Sequence, residues 1–203
     1  MDFNAQAANW DTEGRENRAR IIANEIIKSV DVKENRSALE FGCGTGLVSF
    51  NLADKFEHIT LIDTSEGMIE KVKQKLQDSK VKNMTAFQAD ISEGNVLKDK
   101  FDVIYTSMAL HHIMDTRAVL KSLYELLNEG GALCIVELDE EDGSFHKLEK
   151  DFKGHNGFNQ EALKAIMREN GFKSVVSNTF YNDFKVIDDE KIEYSLFLMV
   201  GKR

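Results

Sequence analysis

The segment Ala38-Leu39-Glu40-Phe41-Gly42-Cys43-Gly44-Thr45-Gly46-Leu47 constrains the fold more than any other stretch of the chain. A short apolar run carries an acid near its end, and three glycines follow at alternate positions. Such a run reads as a buried parallel strand leading into a turn and a helix. Glycine has no Cβ, so backbone can approach a ligand closely and adopt positive φ without strain. The helix that follows starts with unpaired N–H groups facing that ligand. The stretch predicts a cradle of nucleotide size. Spacing excludes the dinucleotide pattern G-x-G-x-x-G, because the third glycine position falls on Leu47 or Ser49. No Lys-Ser or Lys-Thr follows the glycines, so a phosphate-cradling P-loop is excluded too. An acid beside the loop repels a pyrophosphate and suits a cationic ligand.

Further strands bring polar groups to the same edge. His58-Ile59-Thr60-Leu61-Ile62-Asp63 reads as a second strand ending in an acid. Asp63 follows the glycines by about 20 residues, where a nucleotide-binding βαβ unit places a carboxylate on ribose hydroxyls. Ser65-Glu66-Gly67-Met68-Ile69 opens a helix with Met68, Val72 and Leu76 on one face. Further strands are expected at Thr85–Ile91, with Asp90 near its carboxyl end, at Phe101–Ser107 and at Ala132–Glu137. Ligands of open α/β sheets bind outside the carboxyl ends of such strands.

From about residue 36 to 139, E-x-G-x-G-x-G and the strand-end acids resemble, in order, the motifs of class I S-adenosylmethionine-dependent methyltransferases of small-molecule type. The resemblance implies S-adenosyl-L-methionine as cofactor. By position, Glu40 serves its methionine end, and Gly42, Cys43, Gly44 and Gly46 give backbone access. Asp63 holds both ribose hydroxyls, Thr64 and Met68 flank the adenine, Asp90 accepts from the adenine amino group with Ile91 against the ring, and Thr106 completes the cofactor set. Met68 reads equally well as core filler and Asp90 as an ordinary strand-end acid. The resemblance also implies a doubly wound, seven-stranded, mostly parallel sheet of order 3-2-1-4-5-7-6, strand seven antiparallel, with helices on both faces.

Composition narrows the partners. The 203 residues fit one domain and are 42% hydrophobic, as a soluble fold is. No secretory signal opens the chain and no apolar stretch approaches membrane-spanning length, so a cytoplasmic protein without a membrane partner is expected. Cys43 and Cys134 form no C-x-x-C pair and read as buried, reduced thiols. A net charge of −9 without a basic cluster is poorly suited to gripping a phosphate backbone, so no nucleic-acid partner is expected. The chain lacks proline altogether. It therefore lacks the Asn/Asp-Pro-Pro-aromatic motif of amine methylases acting on nucleic-acid bases, and the Pro-Cys nucleophile of cytosine C5 methylases. A small-molecule acceptor is expected, its nucleophile O, N or S left open, as is the oligomeric state. A non-catalytic module binding S-adenosylmethionine or S-adenosylhomocysteine, and a nicotinamide-dependent oxidoreductase, are the alternatives.

The organisation reads as a single domain over 1–203: an N-terminal helix or cap over 1–30, a cofactor-binding core over 36–138, a lid over 139–157, and a C-terminal helix with an antiparallel strand pair over 158–203. Within the cap, residues 11–30 place Ala19, Ile22, Ile26 and Val30 on one stripe. Asn159 is expected as an N-cap with Phe158 and Leu163 as hydrophobic staple, and Gly171 as the closing glycine. Strands near Lys173–Phe180 and Glu193–Val200 complete the chain.

His111 and His155 are the candidate catalytic residues. Leu110-His111-His112-Ile113 resembles the Leu-His-His segment of many small-molecule methyltransferases, and His155 ends the lid before a capped helix. Imidazole titrates near cellular pH, so either can act as general base or position the acceptor. His112 and His146 are expected to be structural or exposed. The acidic run Glu137–Asp142 lacks the Asp-Asn pair of the magnesium-dependent catechol-type enzymes and reads as a solvated face, so no metal is expected in catalysis.

Overall fold

The first two helices, α1 (Phe3–Gln6) and α2 (Glu13–Ser29), precede an alternation of strands and helices. That alternation runs β1 (Ser37–Phe41), α3 (Leu47–Leu52), β2 (His58–Asp63), α4 (Glu66–Asp78), β3 (Met84–Gln88), β4 (Phe101–Ser107), α5 (Thr116–Leu126) and β5 (Leu127–Leu138). It closes with α6 (Gln160–Glu169), β6 (Lys173–Ile187) and β7 (Glu190–Lys202). The computed structural model describes residues 2–31, 37–91, 97–149 and 152–203. Residue 36, at the start of the expected core, and residues 150–151 of the expected lid lie outside the described residues.

The strands form one seven-stranded sheet of order β3-β2-β1-β4-β5-β7-β6. Its first five strands pair in parallel, and β7 runs antiparallel to β5 and β6. This is the order and polarity the sequence resemblance implies. The pleat sends alternate residues to opposite faces, and both faces are apolar because both are covered. Ala38, Leu61, Val103, Tyr105 and Cys134 pack towards α2, α3 and α4. Leu39, Ile62, Ile104 and Leu133 pack towards α5 and α6.

Local signals set the helix boundaries. The side chains of Ser65, Asp115 and Asn159 accept from the backbone N–H of Met68, Ala118 and Ala162, so each helix has the cap its sequence offers. Phe158 and Leu163 are both buried at the start of α6, as a hydrophobic staple requires.

The strand boundaries differ from expectation in three places. β3 ends at Gln88, and Ala89 instead donates its N–H to Asp63 O at 3.1 Å. β5 begins at Leu127, five residues before the expected Ala132. The last two strands are far longer than expected, because the chain reverses only at Asp188-Asp189, with φ of 50° and 64°. Both central residues at positive φ match the right-handed twist of a two-residue hairpin, and aspartate tolerates that conformation. Asn182 and Asp183, which with Asp188-Asp189 lie between the two expected strands, are paired with Ser195 and Tyr194 inside the hairpin.

Candidate functional site

A cavity of about 500 Å³ opens at the carboxyl ends of β1, β2 and β4. Its floor is the glycine turn. Gly42 and Gly44 have φ of 68° and 52°, conformations that side-chain-bearing residues rarely hold. A Cβ on Gly42 would stand 2.5 Å from Ala109 Cβ, so its hydrogen is what lets the loop after β4 close against the turn. A Cβ on Gly44 would project into the space below Trp10, 3.7 Å from Nε1.

Two carboxyls face this floor. Asp63 ends β2, and its oxygens accept from Gly44 N–H and Ser65 N–H, both at 2.8 Å. Each carboxylate oxygen keeps lone-pair capacity for a ligand hydroxyl. Burial pushes the Asp63 carboxyl up, against the pull of those backbone donors. Glu40 lies deeper, 2% exposed. It accepts from Ser49 Oγ, which in turn contacts Tyr105 Oη at 2.6 Å. Burial pushes the Glu40 carboxyl up to about 8, only partly opposed by the Ser49 hydrogen bond. Two acids raised by the same cavity mark a site short of positive charge. The wall therefore fits a ligand carrying a cation at one end and a diol at the other.

Of the sequence-predicted cofactor set, Glu40, Gly42, Cys43, Gly44, Asp63, Thr64, Met68 and Asp90 line the cavity. Gly46, Ile91 and Thr106 do not. Gly46 is the positive-φ N-cap of α3, and a Cβ there would meet Leu61 and Phe50 in the core. Ile91 is buried with Ile62 and Ala89 in the opposite core layer. Thr106 is fully buried within β4, its hydroxyl without a hydrogen-bond partner among the described residues. Pleat alternation explains it, since the next residue, Ser107, is the one on the wall.

The histidine expectations require correction. His111 is 2% exposed and does not line the cavity. Glu137 holds it at both ends, accepting from its backbone N–H at 3.2 Å and contacting Nδ1 at 2.8 Å. Burial works to raise the Glu137 carboxyl, but His111 and the Leu138 N–H hold it below the usual carboxylate range. His155 Nε2 contacts Ile113 O at 2.9 Å and Thr116 Oγ1 at 3.2 Å, tying its segment to the start of α5. The imidazole on the cavity wall is instead His112. Burial, with His111 beside it, pushes His112 down to about 4. A one-residue step around the turn after β4 separates the two histidines, and the Leu-His-His pattern carries no signal for which one faces inward.

The segment 139–157 also sits elsewhere than expected. Among its described residues none lines the cavity. It packs behind the histidine pair, where His155 N–H donates to His111 O at 2.7 Å. The cover comes from the N-terminal segment, which contributes Phe3, Trp10, Arg15 and Arg18 to the wall. Asn4 Oδ1 accepts from Ser65 Oγ at 2.8 Å and Gly67 N–H at 2.9 Å. Asp11 accepts from Thr45 Oγ1, and Lys75 Nζ bridges Asp11 and Thr45 O at 2.9 Å each. Arg15 stacks 4.1 Å over the Trp10 ring and donates to Trp10 O at 3.0 Å. Burial pushes its guanidinium down. Arg18 donates to Tyr194 Oη at 3.0 Å.

These residues went unread, although a signal exists. Arg15 and Arg18 continue the Ala19–Ile22–Ile26 stripe at helical spacing, which places cations where an apolar face should continue. Trp10, the chain's single tryptophan, stands just before that helix.

The chain matches the methyltransferase domain family over residues 14–178. It is 32% identical over 150 residues to an uncharacterized methyltransferase of Schizosaccharomyces pombe, covering 67% of this chain and 53% of that protein. It is 29% identical over 157 residues to malonyl-[acyl-carrier protein] O-methyltransferase of Bacillus anthracis, covering 74% of this chain and 55% of that protein. The solved structure of Haemonchus contortus phosphoethanolamine N-methyltransferase 2 in complex with S-adenosyl-L-methionine shares the fold. Its TM-score is 0.68 at 15% identity, over 83% of this chain and 48% of that one. The chain spans about half the length of the curated relatives it matches.

Proposed function

The chain belongs to the methyltransferase domain family, and on that footing we propose that it binds S-adenosyl-L-methionine in the cavity above β1, β2 and β4 and transfers its methyl group to a small molecule. The observation that carries this reading is the pair of carboxyls on the cavity at the glycine turn, Glu40 buried and Asp63 half-buried and bonded to Gly44 N–H, both raised by desolvation. When bound, the cofactor supplies an activated methyl on a sulfonium.

The protein's part is binding and alignment. Asp63 takes the ribose hydroxyls on the lone pairs that Gly44 and Ser65 leave free. Glu40 takes the ammonium and gives up its proton to do so. Thr64, Met68 and Asp90 frame the adenine, and Trp10 covers the turn. The acceptor enters beside Ser107, Met108 and His112, the part of the lining that follows β4. Arg15 and Arg18 are the cationic side chains that line the cavity, among the described residues. They favour an acceptor with a carboxylate or phosphate. The malonyl and phosphoethanolamine acceptors named for two of the relatives are of that kind. The nucleophile is O, N or S, and the acidic balance of −9 disfavours nucleic acid.

Calorimetry tests the first half. Binding of S-adenosyl-L-methionine and its demethylated product, without binding of NADH, is expected; the reverse pattern refutes the reading. Screening small carboxylates and phosphate esters for turnover tests the second half. Cofactor binding without turnover on any acceptor would favour a sensing module.

A further inference from the structure

Beyond the methyl-transfer reading, the turn after β4 and the segment after β5 bring three histidines together. His111, His112 and His146 each offer a ring nitrogen, and these nitrogens all lie within 4.8 Å of one another. Their ring centres stand 4.2, 5.1 and 5.7 Å apart. In a tetrahedral tris-imidazole zinc site, metal–nitrogen bonds near 2.0–2.1 Å place ring centres about 5 Å apart. Three nitrogens at the corners of a 4.8 Å triangle lie about 2.8 Å from its centre, so each closes by roughly 0.7 Å to reach bonding distance.

We propose that His111, His112 and His146 bind one divalent transition metal ion, zinc by the chemistry of the donor set, at the edge of the methyl-acceptor side of the cavity.

The hydrogen bonds assign the donor atoms. Glu137 occupies His111 Nδ1, which leaves Nε2 as the free lone pair. A carboxylate on the outer nitrogen of a histidine is the usual support of a metal-bound imidazole, fixing its tautomer and raising its basicity. His146 also has a carboxylate on the side of its other nitrogen, at ion-pair rather than hydrogen-bond distance. Its Nε2 stands 3.6 Å from Glu149 Oε1, while its Nδ1 is buried with no hydrogen-bond partner among the described residues. A buried lone pair without a donor costs about 1–3 kcal/mol, and a cation at the centre of the triangle removes that cost. Phe152 stacks on His146 at 3.8 Å with 7° between planes and holds the ring in place.

Three imidazoles suit zinc, copper, nickel or iron(II), and do not suit magnesium or calcium, which take oxygen donors. Because His112 is on the cavity wall, the site borders the cavity through that ligand, and three imidazoles leave a fourth coordination position for a water. The sequence expectation of metal-free catalysis considered only the acidic run Glu137–Asp142 as a source of ligands. In the structure Glu137 is turned inward to support a histidine, and the donors come from turns about 35 residues apart in the chain.

The test needs neither cofactor nor acceptor, so it is independent of the methyl-transfer reading. Chelator-treated protein is titrated with zinc by calorimetry and with cobalt(II) by visible absorption. One equivalent of each is expected, with the intense ligand-field bands of four-coordinate cobalt. His146→Ala should weaken zinc binding at least 100-fold, and Glu137→Gln, which keeps a hydrogen bond to His111, 10- to 100-fold. Folding is checked by circular dichroism, and Glu137→Gln carries the comparison where His146→Ala does not fold. Wild-type protein that binds no zinc and gives no such cobalt spectrum overturns the proposal. Zinc affinity unchanged in both variants overturns it equally, because the ion then sits elsewhere.

Discussion

Cofactor affinity should depend steeply on pH, because Glu40 must ionise to receive a cation. In the free protein burial holds its carboxyl at about 8. At pH 6 only about 1% of the protein carries the carboxylate, and at pH 8 about half does, so this group alone raises affinity about 50-fold between the two. The ligand's own α-ammonium, with an ordinary value of 7.7–8.0, is partly lost at pH 8 and takes back about 2.5-fold. A net rise of about 20-fold is expected from pH 6 to pH 8, with a maximum near 8 and a fall beyond it. Calorimetry at pH 7 in two buffers of different ionisation enthalpy should show release of about 0.8 proton per cofactor bound. The stability of the free protein carries the same signature. A carboxyl raised from its ordinary 4.5 to about 8 contributes stability that is complete below 4.5. That stability declines by about 1.4 kcal/mol per pH unit until the folded value is reached. Glu40→Gln should remove this decline, flatten the acid limb of the affinity profile and abolish proton release. Affinity that is constant within twofold from pH 6 to 8, or proton uptake on binding, would refute the reasoning.

Asp63→Ala should weaken S-adenosyl-L-methionine by about 2–5 kcal/mol, the cost of truncating a polar partner that the bound ligand desolvates, and a loss below tenfold in calorimetry would remove Asp63 from the ribose. Gly42→Ala should destabilise by about 2–4 kcal/mol in denaturant unfolding, since its Cβ would meet Ala109 at 2.5 Å with φ at 68°. Gly14→Ala, in the first turn of α2 with no atom within 4 Å of the added Cβ, should stabilise by about 0.5–1 kcal/mol. His155→Ala should cost about 1–2 kcal/mol of stability through its lost bonds to Ile113 O and Thr116, with turnover changed less than threefold. A 100-fold fall in kcat would return it to the mechanism. Asn4→Ala should raise the cofactor's dissociation constant about two- to tenfold by releasing the N-terminal cover from Ser65 and Gly67, and hydrogen exchange over residues 3–12 should rise with it.

The sheet and the cofactor half of the site were legible because they are local. Strand, glycine turn and strand-end acid are contiguous in the chain, and parallel topology carries each strand end to the same edge. Glu40, Gly42, Gly44 and Asp63 are fixed on the cavity by that rule alone. Where a side chain's direction depended on a single step of pleat or turn, the sequence was silent. Thr106 and Ser107 differ by one residue on β4, and His111 and His112 by one residue on a tight turn, yet only one of each pair reaches the cavity. The hairpin was misjudged for a related reason. Asn182-Asp183 and Asp188-Asp189 both carry turn chemistry, but cross-strand pairing with β7 outweighs it at the first pair, and the chain reverses at the second.

The acceptor half of the site is assembled from segments distant in sequence, and there chemistry is set by what each charged group faces. The acidic run after β5 illustrates it. Glu137 points into the core against His111, Asp139 accepts from Ser195 and Thr179 on the neighbouring strands, and Glu141 accepts from the backbone of Gly143 and Phe145. A stretch that reads as one solvated face is divided among three structural tasks, each fixing part of the loop that carries His146. The cations are distributed by the same logic. Arg15 and Arg18 come from a helix that the sequence marks only by its apolar stripe, and they reach the cavity because that stripe docks on β7 and α3 beside it. Opposite charges thus line one cavity, the carboxyls of Glu40, Asp63 and Asp90 together with the guanidiniums of Arg15 and Arg18. The carboxyls suit a ligand that carries a cation, and the guanidiniums suit a second substrate of opposite sign.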